Sequence, residues 1–275
     1  MKRHEMDITE AQIPGTDIAY LRAGRGRLGS PPVILVHGAY TDGHMWTRNL
    51  LPYLAARGFA VYAIHLKAPG WGPLTLWRYT LGSYVRRLRR LADHVGDPPV
   101  LIGHSMGGLV IQKYLSRYPG EAAGAALLAS LPPFGLRHTL TNMLRRPRLL
   151  LAYMMITFLP SLVRRLPGDP PPGLLSARVP AADRAYFGTL LQRESFLALA
   201  HTLRPGVREG AVRQVPLWVC GADQDNLALP ADVRDTAARY HVKAVIRPES
   251  GHFLVLEPDW TEMAEELVAV LLRPA

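Results

Sequence analysis

An α/β architecture with a largely parallel sheet is what this 275-residue sequence predicts, on three observations. Short apolar runs alternate with longer helical stretches, the rhythm of strand–helix repeats. Several of those runs stop at a glycine, as buried strands do where the chain must turn. Residues are 48% hydrophobic and 20% charged, enough to bury a full-sized core and unlike a disordered chain.

Taken in order, "DITEAQ" and "DIAYLRAG" suggest an antiparallel entry hairpin around Pro14-Gly15. "VILVHG" (33–38) is the first buried strand, "FAVYAIHL" (59–66) the second and "PVLIG" (99–103) the third. "GAALLAS" (124–130), "PLWVCG" (216–221) and "VKAVIRPE" (242–249) continue the series. Helical stretches lie between them. In "SYVRRLRRLADHV" (83–95), Tyr84, Leu88, Leu91 and Val95 mark an apolar face, and Arg86, Arg87, Arg89 and Arg90 read as a solvated one. "LVIQKYLSRYP" (109–119) is a second helix, and "DWTEMAEELVAVLL" (259–272) reads as the closing one. The alternation breaks over 131–212, a region rich in leucine, arginine and proline with helical patches and a coil at "PGDPPPG" (167–173). It reads as a helical cap inserted into a core formed by 1–130 and 213–275.

The formal charge of +10 raises the question of nucleic acid. Only four of the 32 basic residues are lysines, and no aromatic-interleaved basic motif accompanies the arginines, so a nucleic-acid partner is not expected. Attraction to acidic substrates or to an anionic lipid surface, the latter as a peripheral contact, fits better. A single cysteine, Cys220, excludes an intrachain disulfide framework and sits in an apolar run as a small buried thiol would. The start "MKRHEMDITEAQ" has no apolar signal-peptide core, and the apolar segment 149–163 is broken by Pro160 and short for a membrane span. A cytoplasmic location is the expectation.

The chemistry centres on Gly103-His104-Ser105-Met106-Gly107, a G-x-S-x-G pattern between an apolar strand and a helix. A sharp strand-to-helix turn strains the serine backbone and needs small neighbours, which accounts for the glycines. It also sets Ser105 at a helix N-terminus, where developing negative charge is favoured. A serine hydroxyl still needs a base and an oxyanion site. His252, in "PESGHFLVLEPDW" between a strand and the last helix, has the best setting for the base. His4, His44, His94, His138, His201 and His241 lack such settings, and no two histidines sit at metal-ligand spacing on one helix, so neither metal nor cofactor is expected. The loop "GADQDNLALP" (221–230) offers two acids: Asp225 suits a loop tip turning toward His252, while Asp223, nearer the strand end, suits a turn. The oxyanion donors would be the backbone N–H groups of Met106 and of Ala39, just past His37-Gly38, with His37 bracing the loop.

Together, "HGAYTDGHMW", "GHSMGG", the "GADQD" loop and "SGHFLVLEP", with Ser105, Asp225 and His252 in that order, resemble the α/β-hydrolase superfamily along essentially the whole chain. The resemblance implies an eight-stranded, mostly parallel sheet flanked by helices. It also puts the catalytic acid at the second acidic position, Asp225. The chain looks most like small esterase and lysophospholipase-like members with a helical cap. It departs from many of them in "HLKAPGWGPL", where His65 stands in place of an aspartate. Its serine sets it apart from the epoxide hydrolase and haloalkane dehalogenase branches, which use an aspartate there. The implied function is a serine hydrolase cleaving carboxylic esters through an acyl-enzyme, on a small-molecule ester or lipid with a hydrophobic acyl group. Phe134, Leu149, Leu150, Met154, Met155, Phe158, Phe187 and Phe196 of the cap would favour such a group, although each also suits plain packing. An acyltransferase or thioesterase would use the same triad, and a haloperoxidase-like side reaction could ride on it. A non-catalytic binding protein of this fold is the alternative of another class.

Overall fold

The computed structural model describes residues 7–68, 77–159 and 170–272. The first six residues therefore lie outside it, as do 69–74 of "HLKAPGWGPL", 160–163 of the apolar segment and 167–169 of the proline-rich coil. Eight strands form one sheet: β1 (Thr9–Gln12), β2 (Ala19–Ala23), β3 (Val33–Val36), β4 (Val61–Ile64), β5 (Val100–His104), β6 (Gly124–Leu128), β7 (Leu217–Ala222) and β8 (Ala244–Arg247). Their order is β1-β2-β4-β3-β5-β6-β7-β8. The entry hairpin pairs antiparallel and β2 joins β4 antiparallel, while every pairing from β4 to β8 is parallel.

Helices cover both faces, which is why β3, β5 and β6 are buried along their whole length and read as unbroken apolar runs. Alternate residues of β3 enter different cores. Val33 and Leu35 pack with Leu50, Leu51 and Leu54 of α1 (Leu50–Ala56) and with Met263 and Leu267 of the closing helix Trp260–Leu271. Ile34 and Val36 pack with Tyr84, Leu88 and Leu91 of α2 (Leu81–Val95) and with Leu109, Val110 and Ile111 of α3 (Met106–Arg117). On α2 the expected solvated face is interrupted by Arg87, which is buried and donates from Nη1 to Asp17 Oδ1 at 2.7 Å. Its guanidinium ties the turn of the entry hairpin to α2, a long-range demand that helical periodicity does not reveal.

Between β6 and β7 the described residues form only helices: α4 (Arg137–Arg145), α5 (Pro147–Phe158), α6 (Ala181–Leu190), α7 (Phe196–His201) and α8 (Glu209–Val212). The last of these is fastened to the sheet's helices, since Arg208 N donates to Ser116 Oγ at 2.8 Å and Lys113 Nζ to Pro205 O. The helix α9 (Pro230–Arg239) follows β7, and α10 is the closing helix Trp260–Leu271. No helix among the described residues is long and apolar enough to cross a membrane.

The parallel register sets the functional edge. Val36 of β3 lies beside Gly103 of β5, His104 beside Leu128 of β6, and Leu128 beside Cys220 of β7. The loops leaving β3, β5, β7 and β8 therefore emerge along one carboxyl edge, where open α/β sheets collect their ligands.

Candidate active site

Ser105 stands between β5 and α3 with φ 54° and ψ −121°, a conformation that non-glycine residues rarely adopt. The turn is closed by Ser105 N donating to Leu128 O at 3.0 Å and by Leu131 N donating to Ser105 O at 3.1 Å. Gly107 is required by crowding. A Cβ there would stand 2.3 Å from Val36 O and 2.4 Å from His37 O, both backbone atoms that cannot yield. The helix thus packs directly against the end of β3, and the loop that follows β3 lies beside Ser105. Gly38 meets it: a Cβ at that position would be 3.0 Å from Ser105 Cβ.

His37 braces that loop. Its Nδ1 donates to Gly38 O at 2.7 Å, and its Nε2 accepts from Leu66 N at 3.0 Å. The two partners require a neutral ring, and burial together with the nearby charge of Lys67 pushes its pKa down to about 3. Beyond it Tyr40 turns back at φ 60°, and Tyr40 N donates to Glu194 Oε2 at 3.2 Å. The same buried carboxylate receives Tyr84 Oη at 2.6 Å, Lys67 Nζ at 3.1 Å and Ser195 N at 2.8 Å. Glu194 therefore ties the loop bearing Ala39 to α2 and to the chain after β4. Replacing it with a neutral group removes the charge that faces the buried Lys67 ammonium and weakens the charge-assisted bonds that gather here. Glu194→Gln is expected to lower the free energy of unfolding by about 3–5 kcal/mol, read from urea denaturation.

At the other end of the edge, His252 Nδ1 donates to Asp225 Oδ2 at 2.7 Å, and both side chains are buried. The second oxygen, Asp225 Oδ1, accepts from Leu227 N at 2.7 Å and Ala228 N at 3.0 Å, so the carboxylate is fixed in its plane. Asp223 is exposed and takes a turn role, accepting from Ser250 N at 3.2 Å. The histidine loop is held by Glu257, whose Oε1 accepts from Gly251 N and Ser176 N, each at 2.9 Å.

His104, inside the G-x-S-x-G pattern, is a site residue that the motif alone does not assign a task. Its Nε2 donates to His252 O at 2.9 Å, and the two rings stand 4.7 Å apart. The signal was its place in the motif: the residue before the nucleophile points to the same edge. Burial and the nearby His252 hold its pKa well below the ordinary histidine value. His37 and His104 thus stay neutral in the folded chain while the unfolded chain protonates both below about pH 6.5. The unfolded state then binds more protons, so stability falls with falling pH, by up to about 1.4 kcal/mol per pH unit for each histidine. Urea midpoints should be flat above neutrality and decline from pH 6.5 downward; a constant midpoint to pH 5 would contradict the buried neutral rings.

Ser105, His252 and Ala39 line one cavity with Tyr40, His104, Tyr153, Ile156, Leu174, Phe187, Leu191, Leu227 and Phe253. It encloses about 390 Å³ of empty space, counting the part open to solvent. Ser105 Oγ has no hydrogen bond among the described residues, and it shares this space with the His252 ring. Of the eight cap residues expected around an acyl chain, Phe187 lines the cavity. Leu149 is buried in the core, and Met154, Phe158 and Phe196 face outward. On α5 the residues reaching inward are Tyr153 and Ile156, one helical turn apart and one step off the expected set.

The profile of the alpha/beta hydrolase family matches residues 33–266, which takes in the whole of this edge. The chain belongs to that family. Among curated relatives, the non-heme haloperoxidase of Rhodococcus erythropolis is 30% identical over 43% of this chain and 42% of its own length. The pimeloyl-[acyl-carrier protein] methyl ester esterase of Chromobacterium violaceum is 32% identical over 38% of this chain and 39% of its own. The chain thus matches less than half the length of these relatives. A monoacylglycerol lipase of Paleococcus ferrophilus, at 20% identity, superposes with a TM-score of 0.66 over 97% of this chain and 98% of that one, a likeness of fold. Esterases and lipases among its relatives support a hydrolase.

Proposed function

We propose that this hydrolase cleaves carboxylic esters with Ser105 as nucleophile, His252 as general base and acid, and Asp225 as the group that orients the histidine. The buried Asp225–His252 hydrogen bond of 2.7 Å, opening onto the cavity that contains Ser105, carries the reading. Because Nδ1–H is given to Asp225, His252 Nε2 is the nitrogen left to take the Ser105 proton. Ser105 Oγ then bonds to the ester carbonyl carbon, and the oxyanion is received by the N–H groups of Ala39 and Met106. The imidazolium returns the proton to the leaving alcohol as the C–O bond breaks. Water, activated by the same ring, next releases the acid and restores Ser105. Each oxyanion donor contributes on the order of 3 kcal/mol to the transition state.

Tyr153, Ile156, Leu174, Phe187, Leu191 and Phe253 give the cavity an apolar lining that suits a hydrophobic acyl group. The described helices between β6 and β7 act as the cap that supplies part of it. On its outer side α4 and α5 expose Leu140, Leu144, Leu151, Met154 and Phe158 next to Arg137, Arg145, Arg146 and Arg148. Apolar residues beside cations favour contact with an anionic lipid surface. Labelling by a fluorophosphonate probe tests the nucleophile. A p-nitrophenyl ester series tests the substrate class: turnover should rise with acyl length and respond to anionic vesicles. Equal turnover of short and long esters with no vesicle effect would remove the lipid-ester assignment while leaving the serine chemistry in place.

A further inference from the structure

The loop that carries Ala39 runs on into Asp42 and a 3-10 turn at Gly43–Trp46, and the chain leaves β4 through His65. These residues meet outside the Ser105 cavity. One ligand-capable atom each from Asp42, His44 and His65 lies within 4.8 Å of the others. Asp42 Oδ1 accepts from His44 N at 2.9 Å and stands 3.1 Å from His44 Nδ1, while Asp42 Oδ2 accepts from Gln192 Nε2. The His44 and His65 ring centroids are 5.1 Å apart.

Capping of the 3-10 turn accounts for Asp42 and His44, but it does not account for His65. That residue is 6% exposed, and its Nε2 has no hydrogen-bond partner among the described residues. The nearest carboxylate, Glu10 Oε1, is 3.7 Å away, beyond hydrogen-bond range. A buried ring nitrogen left without a partner is destabilising and requires a reason.

We infer that Asp42, His44 and His65 form a binding site for a divalent transition-metal ion of the zinc class, with Glu10 in reach as a fourth ligand. Two imidazoles and a carboxylate suit zinc and its borderline neighbours, whereas Mg²⁺ and Ca²⁺ take oxygen ligands. Ligands at about 2.0–2.1 Å from a tetrahedral zinc lie roughly 3.3 Å from one another. The Asp42–His44 pair already has that spacing, and the half-exposed His44 ring stands beside that of His65. Gln192 holds the other oxygen of Asp42, the outer support that metal-binding carboxylates use. A bound ion would join β1, the loop after β3 and the end of β4. It would thereby brace the segment bearing the Ala39 amide without entering the Ser105 cavity. Sequence spacing conceals the site, because its histidines lie in separate loops and meet only after β3 and β4 pair.

The test is calorimetric titration of untagged, chelator-treated full-length chain with ZnCl₂, with MgCl₂ in parallel and Co²⁺ absorption as a report on the ligand set. Saturable binding of one zinc per chain is expected, with no magnesium binding and a Co²⁺ spectrum of nitrogen and oxygen ligands. His44→Ala and Asp42→Asn should each weaken zinc at least about tenfold. His138→Ala, remote from the cluster, should not change it. His44 is half-exposed and Asp42 largely covered, and circular dichroism checks that both variants fold. Absence of zinc binding in the parent chain, or equal zinc affinity in His44→Ala and the parent, would overturn the inference.

Discussion

Ser105→Ala is expected to lower ester turnover by about 10⁴- to 10⁶-fold and to abolish fluorophosphonate labelling, with the melting temperature nearly unchanged. The factor corresponds to about 5–8 kcal/mol of lost transition-state stabilisation. The thermal part of the prediction follows from the turn. Ser105 holds its position through backbone bonds to Leu128 and Leu131, and its Oγ has no hydrogen bond among the described residues. Alanine keeps the same Cβ at φ 54°, so it inherits the strain and fits the same space. What it lacks is the oxygen that attacks. A second substitution, His252→Ala, should then remove little more, because the two residues act as a unit and the residual rate belongs to the oxyanion donors and binding. A Ser105→Ala enzyme that retains a tenth of the parent rate, with the label on another residue, would assign the chemistry elsewhere.

The sheet was legible because its strands are buried on both faces, and burial writes itself into the chain as runs such as "VILV" and "VLIG". The site was legible for a related reason: parallel strands send their following loops to one edge, so motifs after β3, β5, β7 and β8 could be read as neighbours. Relations that depend on how separate segments pack were hidden. The bond of Arg87 to Asp17, the Glu194 carboxylate that gathers Tyr40, Lys67 and Tyr84, and the meeting of His44 with His65 each join residues without a common period. The same holds for the cap. Helical periodicity identifies an apolar stripe on α5 but not its rotation, and the cavity wall takes Tyr153 and Ile156 where the adjacent Met154 and Met155 were expected.

Asp225→Asn is expected to reduce kcat by about 10⁴-fold, and Asp223→Asn by less than about threefold. The contrast arises from which oxygen is already committed. Asp225 Oδ1 receives two backbone N–H groups, from Leu227 and Ala228, so in the asparagine variant the carbonyl oxygen must occupy that position. The amide NH₂ is then forced to face His252 Nδ1, where the carboxylate had accepted at 2.7 Å. Two donors cannot share that line, so the imidazole must present a bare Nδ1 and carry its proton on Nε2. That is the nitrogen required to accept from Ser105, and the base is therefore disabled with its ring still in place. Among the described residues the Asp223 carboxylate accepts only from Ser250 N and is exposed, where an asparagine carbonyl accepts equally well. Measuring kcat for both variants on one ester, with unchanged melting as the check on folding, separates the two acids. Comparable losses at the two positions would mean that His252 is oriented by the loop as a whole and not by the carboxylate of Asp225.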